Sequence, residues 1–130
     1  MKAQGDRPAR GERVAERVRA ELMELLLRGV VRDPAVEGCF VSAVKLSADL
    51  RHARVYVRLT RPDVTEQDRE RLLAALGRAS GFIQREIAPR LALKYQPHLR
   101  FYWDEGEDNS LRVEELLAEI DREGDGGGRA

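Results

Sequence analysis

Apolar residues recur in the first quarter of the chain at spacings of three and four, the period of an amphipathic helix. The positions concerned are Val14, Val18, Leu22, Leu25 and Leu26. This pattern predicts a helix that begins at Arg10 and ends near Gly29, because glycine and the Asp33-Pro34 pair beyond it are stop signals. The residues before it, 1–9, are rich in Gly, Pro and Arg and are predicted to be disordered.

Two strand patterns follow the first helix. The segment Cys39–Ser47 is rich in strand-forming residues, and His52–Thr60 alternates apolar with polar positions. In the second segment Arg54, Tyr56 and Arg58 fall on the side opposite the apolar residues. The turn between them, "SADLR", is short, which predicts an antiparallel hairpin.

The stretch "LGRASGFIQREI" interrupts a second helix that the surrounding residues specify well. Thr65 and Asp68 resemble a capping box at its start. The pattern predicts a helix from about Glu66 to about Ile87, which ends or kinks at Pro89. A break is predicted at Ala79–Gly81, since glycine costs about 1 kcal/mol relative to alanine inside a helix. Such a break would expose backbone donors to a nucleic acid, or it would only allow close packing of two helices, and both interpretations stay open.

A third strand, His98–Glu105, places Leu99, Phe101 and Trp103 on one face. The order of elements predicts an α+β domain, a three-stranded sheet with helices on one face. We expect the third strand to lie beside the first. The remaining residues, 106–130, form an acidic tail in which the sequence predicts a short helix over 110–122.

Charge is distributed unevenly along the 130 residues, although the net charge is zero. Residues 1–103 hold 20 basic and 13 acidic side chains, a net charge of +7, and residues 104–130 hold 3 basic and 10 acidic ones, a net charge of −7. A basic body with an acidic tail is typical of a protein that binds a polyanion. Ordinary solvated surface charge is the alternative interpretation.

The sequence contains no clear catalytic motif or metal-binding motif. The chain has one cysteine, Cys39, and two histidines without ligand spacing, so we expect no metal and no cofactor. Phosphate-binding glycine loops and nucleophile motifs do not occur, which indicates a protein that is not an enzyme. Without an apolar leader or a long apolar run, we expect a cytoplasmic protein that does not associate with membranes. We also expect it to be a monomer.

Arginine and lysine side chains are the best candidates for a functional site, because their donors suit phosphate oxygens. The first group lies around the predicted helix break, the second on the first helix and the third in the hairpin. In that order the candidates are Arg78, Ser80, Gly81, Arg85, Arg90 and Lys94; Arg10, Arg13 and Arg17; and Arg51, Arg54 and Arg58.

Several motifs in order resemble the bacterial ribosome-binding factor A family. The segments are "RGERVAERVRAELMELL", "KLSADLRHARVYVRL" and "RASGFIQREIAPRLALKYQPHLRFYWDE", and the resemblance extends over about Arg10–Ile120. It implies a single type II KH-like RNA-binding domain over residues 10–105. In it an Ala-x-Gly kink between two helices, formed by Ala79, Ser80 and Gly81, replaces the GxxG loop of ordinary KH domains. Ala48, where the family usually has proline, and Pro89 depart from the family pattern.

The resemblance also implies a function. Members of this family are non-enzymatic factors that bind the free small (30S) ribosomal subunit and assist late maturation and 5′-end processing of its 16S rRNA. A link to cold adaptation and an assembly GTPase as a further partner are implied as well. Two alternatives stay open, a KH-like module that binds another single-stranded RNA and a protein-interaction domain.

Overall fold

A computed structural model of the chain describes residues 3–106. Its elements are helix α1 (Ala3–Leu27), a short 3₁₀ helix (Pro34–Val36), strands β1 (Cys39–Leu46) and β2 (His52–Leu59), helix α2 (Glu66–Leu91) and strand β3 (His98–Trp103). The predicted α+β class and the antiparallel β1–β2 hairpin are confirmed. The predicted acidic tail helix over 110–122 lies outside the described residues.

The sheet is mixed, with the order β1-β2-β3. Strand β3 pairs in parallel with β2, so the prediction that it lies beside β1 is wrong. Helix α1 covers the free edge of β1, where the Arg19 guanidinium donates to the carbonyl of Val41 at 3.3 Å. The N–H of Val41 points at the sulfur of Met23, 3.1 Å away. Because α1 covers the edge of β1, the strand that follows α2 adds to the other edge of the hairpin, beside β2.

Both helices pack against the same face of the sheet. Every second residue of β2 is buried there, as the alternation predicts, and α1 and α2 each contribute an apolar side. The fully buried set includes Val18, Leu22, Leu25, Val41, Val55, Val57, Leu72, Leu76, Ile83 and Ile87. The opposite face of the sheet, here called the open face, has no helix on it among the described elements.

Helix α1 begins at Ala3, earlier than the predicted start at Arg10. The segment that composition marks as disordered therefore contributes backbone to the helix from Ala3 onward. The predicted boundary gave too much weight to composition at a helix end.

Helix α2 runs without interruption from Glu66 to Leu91, so the predicted break at Ala79–Gly81 is wrong. Its capping box is confirmed, with the Thr65 hydroxyl accepting from the N–H of Asp68 at 3.0 Å and the Asp68 carboxylate accepting from Thr65. Of the two outcomes predicted at Pro89, an end of the helix is wrong, because α2 includes Pro89 and continues to Leu91. Apolar residues on both sides of these weak points are buried, and their packing outweighs the local helix preferences.

The uninterrupted helix leads to a stability prediction for its two exposed glycines. A Cβ at Gly77 would meet nothing within 4 Å, and one at Gly81 would meet only the Arg85 guanidinium at 3.5 Å. We expect Gly77→Ala and Gly81→Ala each to raise the free energy of unfolding by about 0.5–1 kcal/mol. Urea denaturation monitored by circular dichroism measures this. A clear loss of stability in Gly81→Ala alone would show that the backbone needs glycine at that point.

Candidate nucleic-acid interface

The twelve predicted contact residues do not form one patch. Arg78 and Arg85 lie on the outward side of α2, whereas Arg54 lies on the open face, across the sheet from both helices. The α1 residues and the hairpin turn make two further groups. The basic surface is therefore divided among several faces of one small fold.

The outward side of α2 carries three arginines at intervals of seven residues, Arg71, Arg78 and Arg85. Seven residues are close to two helical turns, so the three side chains follow one line about 21 Å long. Gly81 and the half-exposed Phe82 lie between them. We call these five residues the outer stripe of α2. The sequence prediction missed Arg71, although its spacing from Arg78 and Arg85 would have revealed it.

Arg78 is partly engaged within the fold. Its guanidinium donates to the carboxylate of Asp33 at 3.2 Å, and 68% of its side chain remains exposed. The pKa of Asp33 is lowered by the backbone N–H of Ala35 and then by Arg78. Asp33 also caps the short 3₁₀ helix, so this pair joins α2 to the segment before β1. The remaining exposed surface of Arg78 can still face an anion.

Ser80 and Gly81 lie inside α2, so they cannot offer the free backbone donors of a helix start. The Ser80 hydroxyl donates to the carbonyl of Gly77 at 3.0 Å. Gly81 is exposed, and the Arg85 guanidinium lies beside it. What this region offers a ligand is a small-residue surface with arginines around it.

Arg90 is surrounded by acidic partners. Its guanidinium lies 3.4 Å from the Glu24 carboxylate and 3.7 Å from that of Glu21, and its carbonyl accepts from Arg17 at 2.7 Å. These contacts join the C-terminal end of α2 to α1. Arg90 and Arg17 thus hold the helices together, and their charge is less available to an external phosphate than that of Arg85.

Arg10 and Arg13 share the Arg17 side of α1. Together they border an open hollow that Val14 and Leu91 also line. The predicted α1 group is therefore brought together by the fold, and it lies next to the C-terminal end of α2.

A basic and aromatic cluster forms where the hairpin turn meets the chain that leaves α2. The Arg51 guanidinium lies 4.4 Å from the centre of the Tyr95 ring, and the Lys94 ammonium lies 5.6 Å from it. Tyr95 is 53% exposed, and the sequence prediction did not include it. The fold thereby unites Arg51 and Lys94, which are far apart in the sequence, around one accessible ring.

The other hairpin arginines have different surroundings. Arg58 donates to the carbonyl of Asp104 at 2.5 Å, and its guanidinium lies 5.3 Å from the Trp103 ring. Arg54 pairs in register with Lys45 on one side and with Arg100 on the other. Arg58 is thus held at one end of the sheet, and Arg54 sits among other cations.

Within residues 3–106, no group of three His, Cys, Asp or Glu side chains is arranged to hold a metal ion. Cys39 is the one thiol, and burial raises its pKa to about 12, which keeps it protonated and unreactive at neutral pH. Neither helix of the described part of the chain has the length and apolarity needed to cross a bilayer.

Comparison with known proteins agrees with the resemblance in the sequence. The family model described as ribosome-binding factor A matches residues 10–117. The chain belongs to the ribosome-binding factor A family. Among relatives of that name, the protein of Sorangium cellulosum is 42% identical over 93% of this chain and 95% of its own length. That of Anaeromyxobacter sp. (strain Fw109-5) is 42% identical over 94% of this chain and 97% of its own.

Solved structures of the family share the fold. The solution structure of a Thermotoga maritima ribosome binding factor A is 36% identical, with a TM-score of 0.60 over 71% of this chain and 84% of that chain. The Thermus thermophilus crystal structure is 27% identical, with a TM-score of 0.59 over 71% of this chain and 93% of that one. A Thermus homology model fitted into the cryo-EM map of a 30S complex with this factor is 28% identical, with a TM-score of 0.50 over 68% and 93%.

The state of Cys39 gives a test of the non-catalytic interpretation. A pKa of about 12 instead of 9.0 lowers the thiolate fraction at pH 8 about a thousandfold, so we expect the native protein to react far more slowly with a disulfide reagent than the denatured protein. The protonated thiol also favours the folded state below about pH 9, and this contribution is lost as pH rises toward about 12. Rapid labelling of native Cys39 at pH 8 would contradict the raised pKa. For the second effect, the free energy of unfolding is measured across pH, with Cys39→Ala as the reference.

Proposed function

We propose that this chain is a non-enzymatic assembly factor that binds the free small ribosomal subunit and assists late maturation and 5′-end processing of 16S rRNA. Membership in the ribosome-binding factor A family carries the proposal. The small subunit as partner is supported by the Thermus factor that was fitted into a 30S complex. It acts in the cytoplasm as a monomer, with an assembly GTPase as a further partner, and contributes to growth in the cold.

The proposal includes a KH-like mode of RNA binding. A helix followed by a hairpin, a second helix and a strand beside the hairpin supports it. KH domains clamp RNA with a loop between two helices, but here α2 is continuous through that position. Side chains on the outer stripe of α2 therefore take over the contact that a loop backbone makes elsewhere.

Electrostatic attraction provides the affinity in this proposal. Arg71, Arg78 and Arg85 form a line of cations beside small residues, so a phosphate backbone can approach the helix closely along it. The Arg10, Arg13 and Arg17 group and the Arg51 and Lys94 group around Tyr95 add positive charge elsewhere. By holding an immature rRNA conformation, the bound factor prevents premature use of the subunit.

Co-sedimentation tests the partner and the role of charge together. We expect the full chain to sediment with free small subunits, and not with large subunits or joined ribosomes, and to dissociate steeply as salt rises. Arg85→Gln should reduce the slope of log affinity against log salt by about 1. Arg28→Gln is the matched control, because Arg28 is also an exposed arginine at a helix, outside the outer stripe of α2.

Three results of that experiment would overturn the proposal. Binding to none of the particles by folded protein would remove the small subunit as partner. Binding that does not depend on salt would favour a protein-interaction domain. Tight binding to unrelated short RNAs, without preference for the subunit, would favour a general KH-like module.

Processing of the rRNA end requires a test in cells. In a bacterium depleted of its own family member, we expect this chain to restore the mature 5′ end of 16S rRNA, and the Arg71→Gln/Arg85→Gln variant to restore it less well. Primer extension at low growth temperature measures the ratio of precursor to mature ends. An unchanged precursor level with the wild-type chain, in spite of small-subunit binding, would contradict the processing role.

A further inference from the structure

The open face of the sheet carries a row of three cations. Lys45 of β1, Arg54 of β2 and Arg100 of β3 are direct neighbours in the two strand registers. Like charges placed opposite each other in a sheet destabilise it. Within residues 3–106 none of these three forms an ion pair, although Glu12 and Glu16 of α1 line the same hollow as Lys45 at the edge of β1. No ion pair in the described residues offsets the repulsion between Arg54 and Arg100, and an anionic ligand bound across the row would offset it.

Two tyrosines form the next row along the same strands. Tyr56 and Tyr102 are neighbours in the β2–β3 register, with ring centres 5.7 Å apart and ring planes at 32°. The partner of Tyr56 in β1 is Ala43, which has a small side chain. Rows two residues apart lie about 6.7 Å from each other. Aromatic surface and positive charge thus lie next to each other on one face of the sheet.

The limits of this face are also visible. His52 and His98 form the row beyond the cations, with ring centres 6.2 Å apart. At the opposite end, the carboxylate of Asp104 accepts a hydrogen bond from the Ser42 hydroxyl. A polyanion is therefore expected to follow the cation and tyrosine rows and to avoid the Asp104 end.

This combination of groups fits single-stranded RNA. Stacking on aromatic side chains exposed on a sheet, with cations holding the phosphates, is a general way of binding unpaired bases. In duplex RNA the base faces are stacked inside the helix and cannot contact the sheet. An acidic peptide could pair with the cations, but it carries no bases to stack on the two rings. The charge of the row and the rings beside it thus point to the same ligand.

We propose that the open face is a second RNA-binding surface, on which Tyr56 and Tyr102 stack bases of a single-stranded segment and Lys45, Arg54 and Arg100 hold its phosphates. This inference rests on the proposed function for the identity of the cellular ligand, which is rRNA if the chain is a small-subunit assembly factor. The surface itself is separate from the outer stripe of α2, which faces away on the other side of the sheet. The two can therefore be tested independently.

Fluorescence anisotropy with a labelled ten-nucleotide oligouridine, titrated with the full chain, provides the test. We expect Tyr56→Leu/Tyr102→Leu to weaken binding about tenfold or more, since each stacked base contributes substantially. Tyr56→Phe/Tyr102→Phe keeps the ring faces and should bind like the wild type. Lys45→Gln/Arg100→Gln should reduce the salt slope by about 1.4, since each phosphate contact to a single strand contributes about 0.7. Urea denaturation confirms that each variant is folded. If Tyr56→Leu/Tyr102→Leu does not fold, the single variant Tyr102→Leu replaces it.

The outcomes separate this inference from the proposed function. Weaker binding by the leucine variant, with the phenylalanine variant unchanged, supports base stacking. Equal affinity of all tyrosine variants for oligouridine overturns the inference. Failure of the wild-type chain to bind oligouridine at about 100 µM also overturns it, because non-specific nucleic-acid binding is rarely weaker than that. Normal co-sedimentation with small subunits in either of these cases would leave the proposed function standing.

Discussion

The buried side of α2 is the feature on which most of this structure depends. Leu72, Leu76, Ile83 and Ile87 lie along it and are at most 1% exposed. Their contact with the sheet keeps the helix continuous through Ala-Ser-Gly, since a break would remove one half of this apolar side from the core. The same packing orients the opposite side of the helix, so that Arg71, Arg78 and Arg85 face outward together.

Basic side chains in this fold serve two purposes. Some are joined to the protein itself, such as Arg90 with its two glutamates and Arg78 with Asp33. Others, such as Arg85 and Arg100, have no carboxylate paired with them in the part of the chain that the structure describes. A count of charges cannot distinguish these two classes, because exposed ion pairs depend on which elements meet. Of the candidate contact residues, Arg85 is therefore more available to an external phosphate than Arg90.

The two proposed RNA surfaces differ in chemistry as well as in position. On the outer stripe of α2, arginines surround small residues, which suits close approach of a phosphate backbone. On the open face, cations lie beside two rings, which suits bases that are unstacked from their neighbours. A single domain with both surfaces can hold a backbone on one side and unpaired bases on the other. That arrangement suits the proposed role of holding rRNA in an immature conformation.

Local sequence by itself determined the elements of this protein. The alternation in β2, the capping box at Thr65 and the helical spacing of α1 are local signals. The structure agrees with all three, apart from the start of α1 at Ala3. Family motifs in the sequence likewise led to the correct family. Tertiary structure decided what depends on distant partners, namely the place of β3 beside β2, the continuity of α2 past Gly81 and the pairing of Arg54 with Arg100. Packing of the core and occupation of a sheet edge settle these features, and neither is visible in a short window of residues.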